Sequence, residues 1–299
     1  MKTFNDSVTD YATLSRDSST ANLALGKSLI NTFIKKILVS RDWVFNRSSY
    51  KDASVADQQN YPLPYNCERV RSIKVHANGI NYFPKEVSSR EIWNNLNRTT
   101  TPTSSDAIVK YFVAADHIET YPVFATDDNE ITIYFQKLIK DLGATDYETG
   151  TISVTTPYTT AVVGSTSPAT AFVDAMVGRH IIPEDDGYAY EIESVESVSA
   201  LTTVREIRMT LSGSAYKIAE MIPLPFGFQD IPLWFALATY FQKKEGSIDE
   251  AREYERMARD GLNELIRRDA KSTGSVLTKS DYADINGLID INKYPTDME

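Results

Sequence analysis

TGTISVTTPYTTAVVGSTSPATAF, residues 149–172, differs in texture from everything before it in the chain. Thr, Ser and Val dominate it, residue types suited to a pleated and half-buried surface. Two later stretches, EDDGYAYEIESVESV (184–198) and TTVREIRMTL (202–211), alternate like half-exposed strands. Together they predict a small β module whose edges are Gly150 and the IPLP run at 222–225. The fold class depends on what this module is set into.

The flanking sequence reads as helix. In ANLALGKSLINTFIKKILVSRDW (21–43), Leu23, Ile30, Phe33, Ile34, Ile37 and Leu38 recur at three- and four-residue spacing, the stripe of a packed amphipathic helix. Gly26 interrupts that helix. It either costs ~1 kcal/mol relative to Ala or marks a close approach of a second helix. Near the other end, Asp230 is placed to cap a helix, Pro232 suits its first turn, and LWFALATYFQKK (233–244) continues it. Ser247 and Glu250 have capping-box spacing. The helix beyond puts Ile248, Ala251, Tyr254, Ala258, Leu262, Leu265 and Ile266 on one face, with Glu and Arg alternating on the other.

Between the helical ends lies QQNYPLPYNCERVRSIKVHANGINYFPKEVSSREIW (58–93). Pro62 and Pro64 forbid helix and hold an extended path. The strand that follows has Arg71, Ile73 and Val75 on one face and Val70, Ser72 and Lys74 on the other, so neither face is purely apolar. Asn78-Gly79 is a hairpin signal, because both residues tolerate positive φ. Ser88 or Ser89 then caps a short helix through Trp93. IVKYFVA (108–114), HIETYPVF (117–124) and EITIYFQKL (130–138) predict a β-meander.

The expected fold class is therefore α+β: a bundle of N-terminal and C-terminal helices with a β-meander and an inserted small β module. Residues 1–149 with 223–269 form the core, 150–222 the insertion, and 270–299 an extended C-terminal tail. That tail carries Val276, Leu277, Tyr282, Ile285, Leu288, Ile289, Ile291 and Tyr294. Apolar residues on a segment that cannot fold alone predict docking, on this chain or another.

Composition narrows the chemistry. The 299 residues carry a formal charge of −10, which argues against wrapping DNA. Cys67 is the one cysteine, so no intrachain disulfide forms. His76, His117 and His180 lie in separate segments without spaced partners. The N-terminus lacks the apolar region of a secretory leader, and the longest apolar run, IPLWFALATYF (231–241), is shorter than the ~20 residues a membrane helix needs. Glu184-Asp185-Asp186-Gly187 lacks the register of a calcium loop and reads as a solvated turn, as does Asp127-Asp128-Asn129. No dinucleotide-binding, phosphate-loop, nucleophile-elbow or zinc-protease motif occurs. The expectation is a non-enzyme with no catalytic, cofactor or metal residues.

The order of several stretches carries a resemblance. RDWVFNR (41–47), QQNYPLPYNCERVRSIKV (58–75), YFPKEVSSREIWNNL (82–96), YFVAADHIETYP (111–122), ITIYFQK (131–137) and AREYERMARDGLNELIRR (251–268) resemble the head-to-tail adaptor, or connector, proteins of tailed bacteriophages, of the tail tubular protein A type. The likeness spans roughly residues 20–150 and 222–268. MVGRHI (176–181) and DDGYAYEIESV (185–195) resemble a β insertion of such virion proteins. The resemblance implies a virion neck protein, assembled in the host cytoplasm as a ring, usually dodecameric. Its partners would be copies of itself, the portal protein, a tail or neck protein, and double-stranded DNA passing through the lumen without specific binding. No membrane partner is implied. Two other readings compete: a tail or baseplate component whose β module binds a partner or a glycan, and a glycan hydrolase.

Overall fold

The computed structural model describes residues 2–99, 104–138, 140–244 and 247–273. The expected helical bundle with a small β module is not what forms. Among the described residues the fold is mostly β, with three sheets, one of them a nearly closed seven-stranded barrel. Two compact units are present, Arg41–Lys140 and the remainder.

In the remainder, Phe4–Ser15 (α1) starts at a capping box. The Thr3 hydroxyl accepts from the Asp6 N–H at 3.1 Å, and the Asp6 carboxylate accepts from the Thr3 N–H at 2.9 Å. Thr20–Val39 (α2) starts at Ser19, whose hydroxyl accepts from the Asn22 N–H at 3.3 Å. Ile30, Phe33, Ile34, Ile37 and Leu38 are buried, as their spacing predicts. Gly26 is buried where Tyr11 of α1 crosses it, so the glycine does mark a close helix approach.

Ile231–Gln242 (α4) packs against α1, α2 and Ile248–Thr273 (α5). Being covered on several sides, it is apolar nearly all round, with Leu233, Phe235, Ala236, Leu237, Ala238 and Phe241 buried. Phe33 stacks on Phe235 at 5.2 Å between ring centroids, and Phe241 on Tyr254 at 5.7 Å. Asp230 holds the N-cap position, but its carboxylate pairs with Lys2 instead of closing the cap. On α5, Ala251, Ala258, Leu262, Leu265 and Ile266 face inward, the Arg256–Glu253 pair (2.7 Å) lies on its charged face, and Arg259 reaches the buried Glu255 (2.6 Å).

The barrel strands are Ile152–Val154 (β9), Thr159–Gly164 (β10), His180–Pro183 (β11), Tyr190–Ser197 (β12), Ala200–Ile207 (β13), Leu211–Ser214 (β14) and Tyr216–Ala219 (β15). They pair antiparallel in the order β14-β9-β10-β13-β12-β11-β15. The two edge strands are consecutive in sequence, with only Ala215 between them. The sheet must therefore curl until its last strand returns beside its first. Ile152, Val154, Val162, Ile181, Ile192, Leu201, Ile207, Leu211 and Ile218 fill the interior, and Phe172 and Met176 close it from a loop. The short strands β9, β11, β14 and β15 bury only one or two of these residues each, too few for a period of two to be seen, so the sequence underestimates the β content although β12 and β13 alternate visibly.

Buried polar side chains tie the 141–148 segment to this unit. The Asn31 carboxamide donates to Leu142 O (2.7 Å) and accepts from the Leu142 N–H (2.9 Å). The Glu220 carboxylate accepts from the Ala144 N–H at 2.9 Å. Arg179 donates to Thr145 O and Ile218 O at 2.6 and 2.8 Å. The Glu220 carboxylate and Arg179 Nη2 find the partners their burial demands, whereas Arg179 Nε finds none among the described residues.

The Arg41–Lys140 unit consists of Arg47–Ala53 (β1), Asn60–Pro62 (β2), Cys67–Ala77 (β3), Ile80–Tyr82 (β4), Lys85–Glu86 (β5), Arg90–Thr99 (α3), Lys110–Val113 (β6), His117–Tyr121 (β7) and Glu130–Lys137 (β8). Two four-stranded sheets, β1-β8-β3-β4 and β2-β7-β6-β5, share one core of Tyr61, Val70, Ile73, Val75, Tyr111, Ile118, Phe124, Ile131, Ile133 and Phe135. The predicted meander divides between them. β6 and β7 pair in one sheet, whereas β8 lies between β1 and β3 in the other, and Phe124 is buried between the two runs. The mixed faces of β3 are resolved by a bulge between Val70 and Ser72. The extra residue shifts the register, so Val70, Ile73 and Val75 all reach the core. Asn78 (φ 51°) and Gly79 (φ 75°) form the β3–β4 turn.

Candidate interaction surfaces

The most buried acid among the core strands of the Arg41–Lys140 unit is Glu119 on β7, 7% exposed. Trp93 of α3, fully buried, donates its indole N–H to Glu119 Oε2 at 2.5 Å, and Arg90 pairs with the same carboxylate. His117 Nε2 stands 3.6 Å from Glu119, with its Nδ1 2.7 Å from Asp116. The Trp93 ring stacks on Phe112 (5.9 Å), and the Arg90 guanidinium lies 4.9 Å from the Phe112 ring centre. Ser89 begins the helix, its carbonyl accepting from the Trp93 N–H at 3.0 Å. This arrangement fixes α3 on the sheet. The carboxylate is engaged by an indole and a guanidinium, so its chemistry is anchoring.

Exposed aromatic residues follow a different pattern. Tyr65 is 81% exposed, Phe226 72%, Phe83 70% and Tyr158 68%. Each is bonded to a proline: Pro64-Tyr65, Phe83-Pro84, Pro157-Tyr158 and Pro225-Phe226. Proline fixes its own φ and restricts the residue before it, so Phe83 is held directly and the other three rings each follow a residue of fixed φ. Two lie in each unit. Exposed aromatic rings are the anchors that buried interfaces favour.

The outer face of the β1-β8-β3 sheet is basic. The pairing register puts Arg47, Ser49 and Lys51 of β1 beside Gln136, Tyr134 and Thr132 of β8. On β3, Arg69, Ser72 and Lys74 lie opposite the same three β8 residues, and the bulge leaves Arg71 exposed as well. Two carboxylates answer these five cations. Glu130 pairs with Lys51 (2.8 Å) and Lys74 (3.7 Å), and Asp42 pairs with Arg47 (3.2 Å) and Arg71. Among the described residues Arg69 has no ion-pair partner. Tyr134, 38% exposed, lies near the middle of the face.

The tail residues singled out in the sequence, Val276, Leu277, Tyr282, Ile285, Leu288, Ile289, Ile291 and Tyr294, lie outside the described residues. Glu184–Gly187 forms a turn in which Asp186 accepts from the Tyr190 hydroxyl and Gly187 has φ 70°. Asp127 Oδ1 accepts from the Ala56 N–H at 2.7 Å, a loop contact. Among the described residues no group of three His, Cys, Asp or Glu side chains is placed to hold a metal ion. Cys67 is half-buried, and burial, with Glu68 adding to it, pushes its thiol above the ordinary range and away from reactivity. Among the described residues no helix is long and apolar enough to cross a membrane. Sequence reasoning missed both the basic face and the proline-flanked rings. The Pro–aromatic pairs were visible as dipeptides, but the basic face needed the register of β1 and the bulge in β3.

No protein-family model matches the chain, and no curated protein matches it.

Proposed function

We propose that this chain is a virion structural protein that assembles into a ring below the portal, joins head to tail and lets double-stranded DNA pass. The observation that carries the reading is the set of proline-flanked aromatic rings, two on each unit, at 68–81% exposure. A subunit that closes a ring head to tail needs two different docking patches held in fixed geometry. The order of the motifs from RDWVFNR to AREYERMARDGLNELIRR supports the same reading by resemblance. Segment 270–299, with Tyr282, Ile285, Leu288 and Ile289 as anchors, is the proposed element for docking on the portal or a neighbouring copy. Electron microscopy of the purified protein, alone and with portal, tests the proposal: closed rings with portal on one face are expected. A monodisperse monomer that ignores portal under all conditions would refute it. Truncation after Thr273 should weaken portal docking while the fold survives.

A tail or baseplate component with a binding barrel is the second reading. Tyr158 and Tyr188, 68% and 53% exposed on the barrel unit, favour it, with Arg208 5.9 Å from the Tyr188 ring centre. Chemical-shift changes confined to residues 150–222 on titrating a glycan would support it over the ring.

A further inference from the structure

The formal charge of −10 is not spread evenly along the chain. Residues 41–140 carry twelve Lys and Arg against twelve Asp and Glu, so the whole excess of acid falls on the other unit. Within that unit, residues 150–222 hold nine Asp and Glu against four Lys and Arg, and one of the four, Arg179, is buried. Strand β12 concentrates the acid: Glu193 and Glu196 are exposed and Glu191 half-exposed. The pairing of Ile192 with Thr203 puts Glu191 across from Val204, an apolar side chain 52% exposed, and Glu206 follows two residues on with its own side chain exposed. Arg205, also exposed on β13, is the one base on these two strands beside the four acids, so the barrel presents a net acidic strand pair around Val204.

The β1-β8-β3 face has the opposite character. Arg47, Lys51, Arg69, Arg71 and Lys74 surround Tyr134, and among the described residues ion pairs with Glu130 and Asp42 offset four of them. One surface is a basic sheet face with an aromatic residue, Tyr134, near its middle. The other is an acidic face of the curled barrel sheet around the aliphatic Val204. Surfaces of opposite sign on one chain are self-complementary only between different patches of two copies, which is the condition for a heterologous contact.

We infer that the basic β1-β8-β3 face of one copy docks on the acidic β12–β13 face of the barrel of a second copy. This rests on the ring reading and names the surfaces that close it. The contact sets register and partner by charge, and its strength falls as salt rises.

The test is a charge swap followed by light scattering across a salt series. Wild-type protein should assemble, less readily at high salt. R69E/K74E makes both faces acidic and E191K/E193K makes both basic, so each alone should weaken assembly about tenfold or more. None of the four side chains is buried, and circular dichroism with a thermal melt checks that each variant folds. The neutral R69Q/K74Q should fall between wild type and the reversal. An equimolar mixture of the two reversed variants should assemble again, because native and swapped contacts alternate around the ring. Wild-type assembly unaffected by either reversal overturns the inference and leaves the ring reading standing. Loss without rescue in the mixture also overturns it. Unchanged assembly with lost binding to a labelled DNA duplex would reassign the basic face to nucleic acid. Wild type that stays monomeric, with portal or without, refutes both readings.

Discussion

The Tyr11 ring lies against the bare Cα of Gly26, so close that a methyl group there would stand 2.4 Å from Tyr11 Cδ1. Helix propensity alone favours Gly26→Ala by up to ~1 kcal/mol. Overlap with a ring locked between helices costs ~1–3 kcal/mol. The variant should lose about 1 kcal/mol, seen as a lower urea midpoint at unchanged slope. A higher midpoint would mean that Tyr11 moves aside freely.

Glu119 tests the anchoring of α3. Glu119→Ala leaves the Trp93 indole N–H buried without its acceptor, which costs ~1–3 kcal/mol. Glu119→Gln keeps an oxygen for Trp93 and loses only the charge that Arg90 meets, and Arg90 is 55% exposed. The Gln variant should therefore retain more than half of the stability that the Ala variant loses. Equal losses in chemical unfolding would assign the anchor to charge instead of the indole bond.

Asp106 controls an acid limb. Burial pushes its carboxyl up, but the Thr126 hydroxyl and amide, with Asn78 and Asn129, outweigh that and hold it below the ordinary range. Its stabilising effect is present above the unfolded carboxylate value and is lost as pH falls through the folded value. Melting of Asp106→Asn should lag wild type at neutral pH, and the gap should close on acidification. A gap that persists in acid would contradict this.

Tyr111 governs the alkaline side. Burial, aided by Glu86, pushes its phenol up to about 12. An unfolded chain releases that proton near pH ~10, so stability declines as pH climbs from there toward the folded value. Tyr111→Phe should flatten the decline in urea midpoints over that window. A curve as steep as wild type would place the effect elsewhere.

The sequence revealed elements better than their arrangement. The α2 stripe is continuous and strongly periodic, so Ile30 to Leu38 could be read directly. The Asn78-Gly79 turn was equally plain, because positive φ at two successive residues has few solutions. The bundle expectation failed where structure rests on long-range pairing. RSSYKDA, 47–53, shows no apolar alternation and becomes a strand only because β8 offers it a full register. The β3 bulge disguised a single apolar face as two mixed ones. LSGS, 211–214, carries one apolar residue, and its membership in the barrel depends on pairing with β9. Among the candidate surfaces, the aromatic residues beside prolines stand in the sequence as dipeptides, but their exposure does not, and the basic face emerges only once three strands are aligned.

Ala215 has a dynamic consequence. A sheet whose first and last strands follow one another through a single residue has no loose lip from which fraying can start. Opening at Leu211–Ser214 pulls on Tyr216–Ala219, so amide exchange at the two should rise and fall together instead of spreading from one margin. The barrel should breathe as a hoop, all round or not at all.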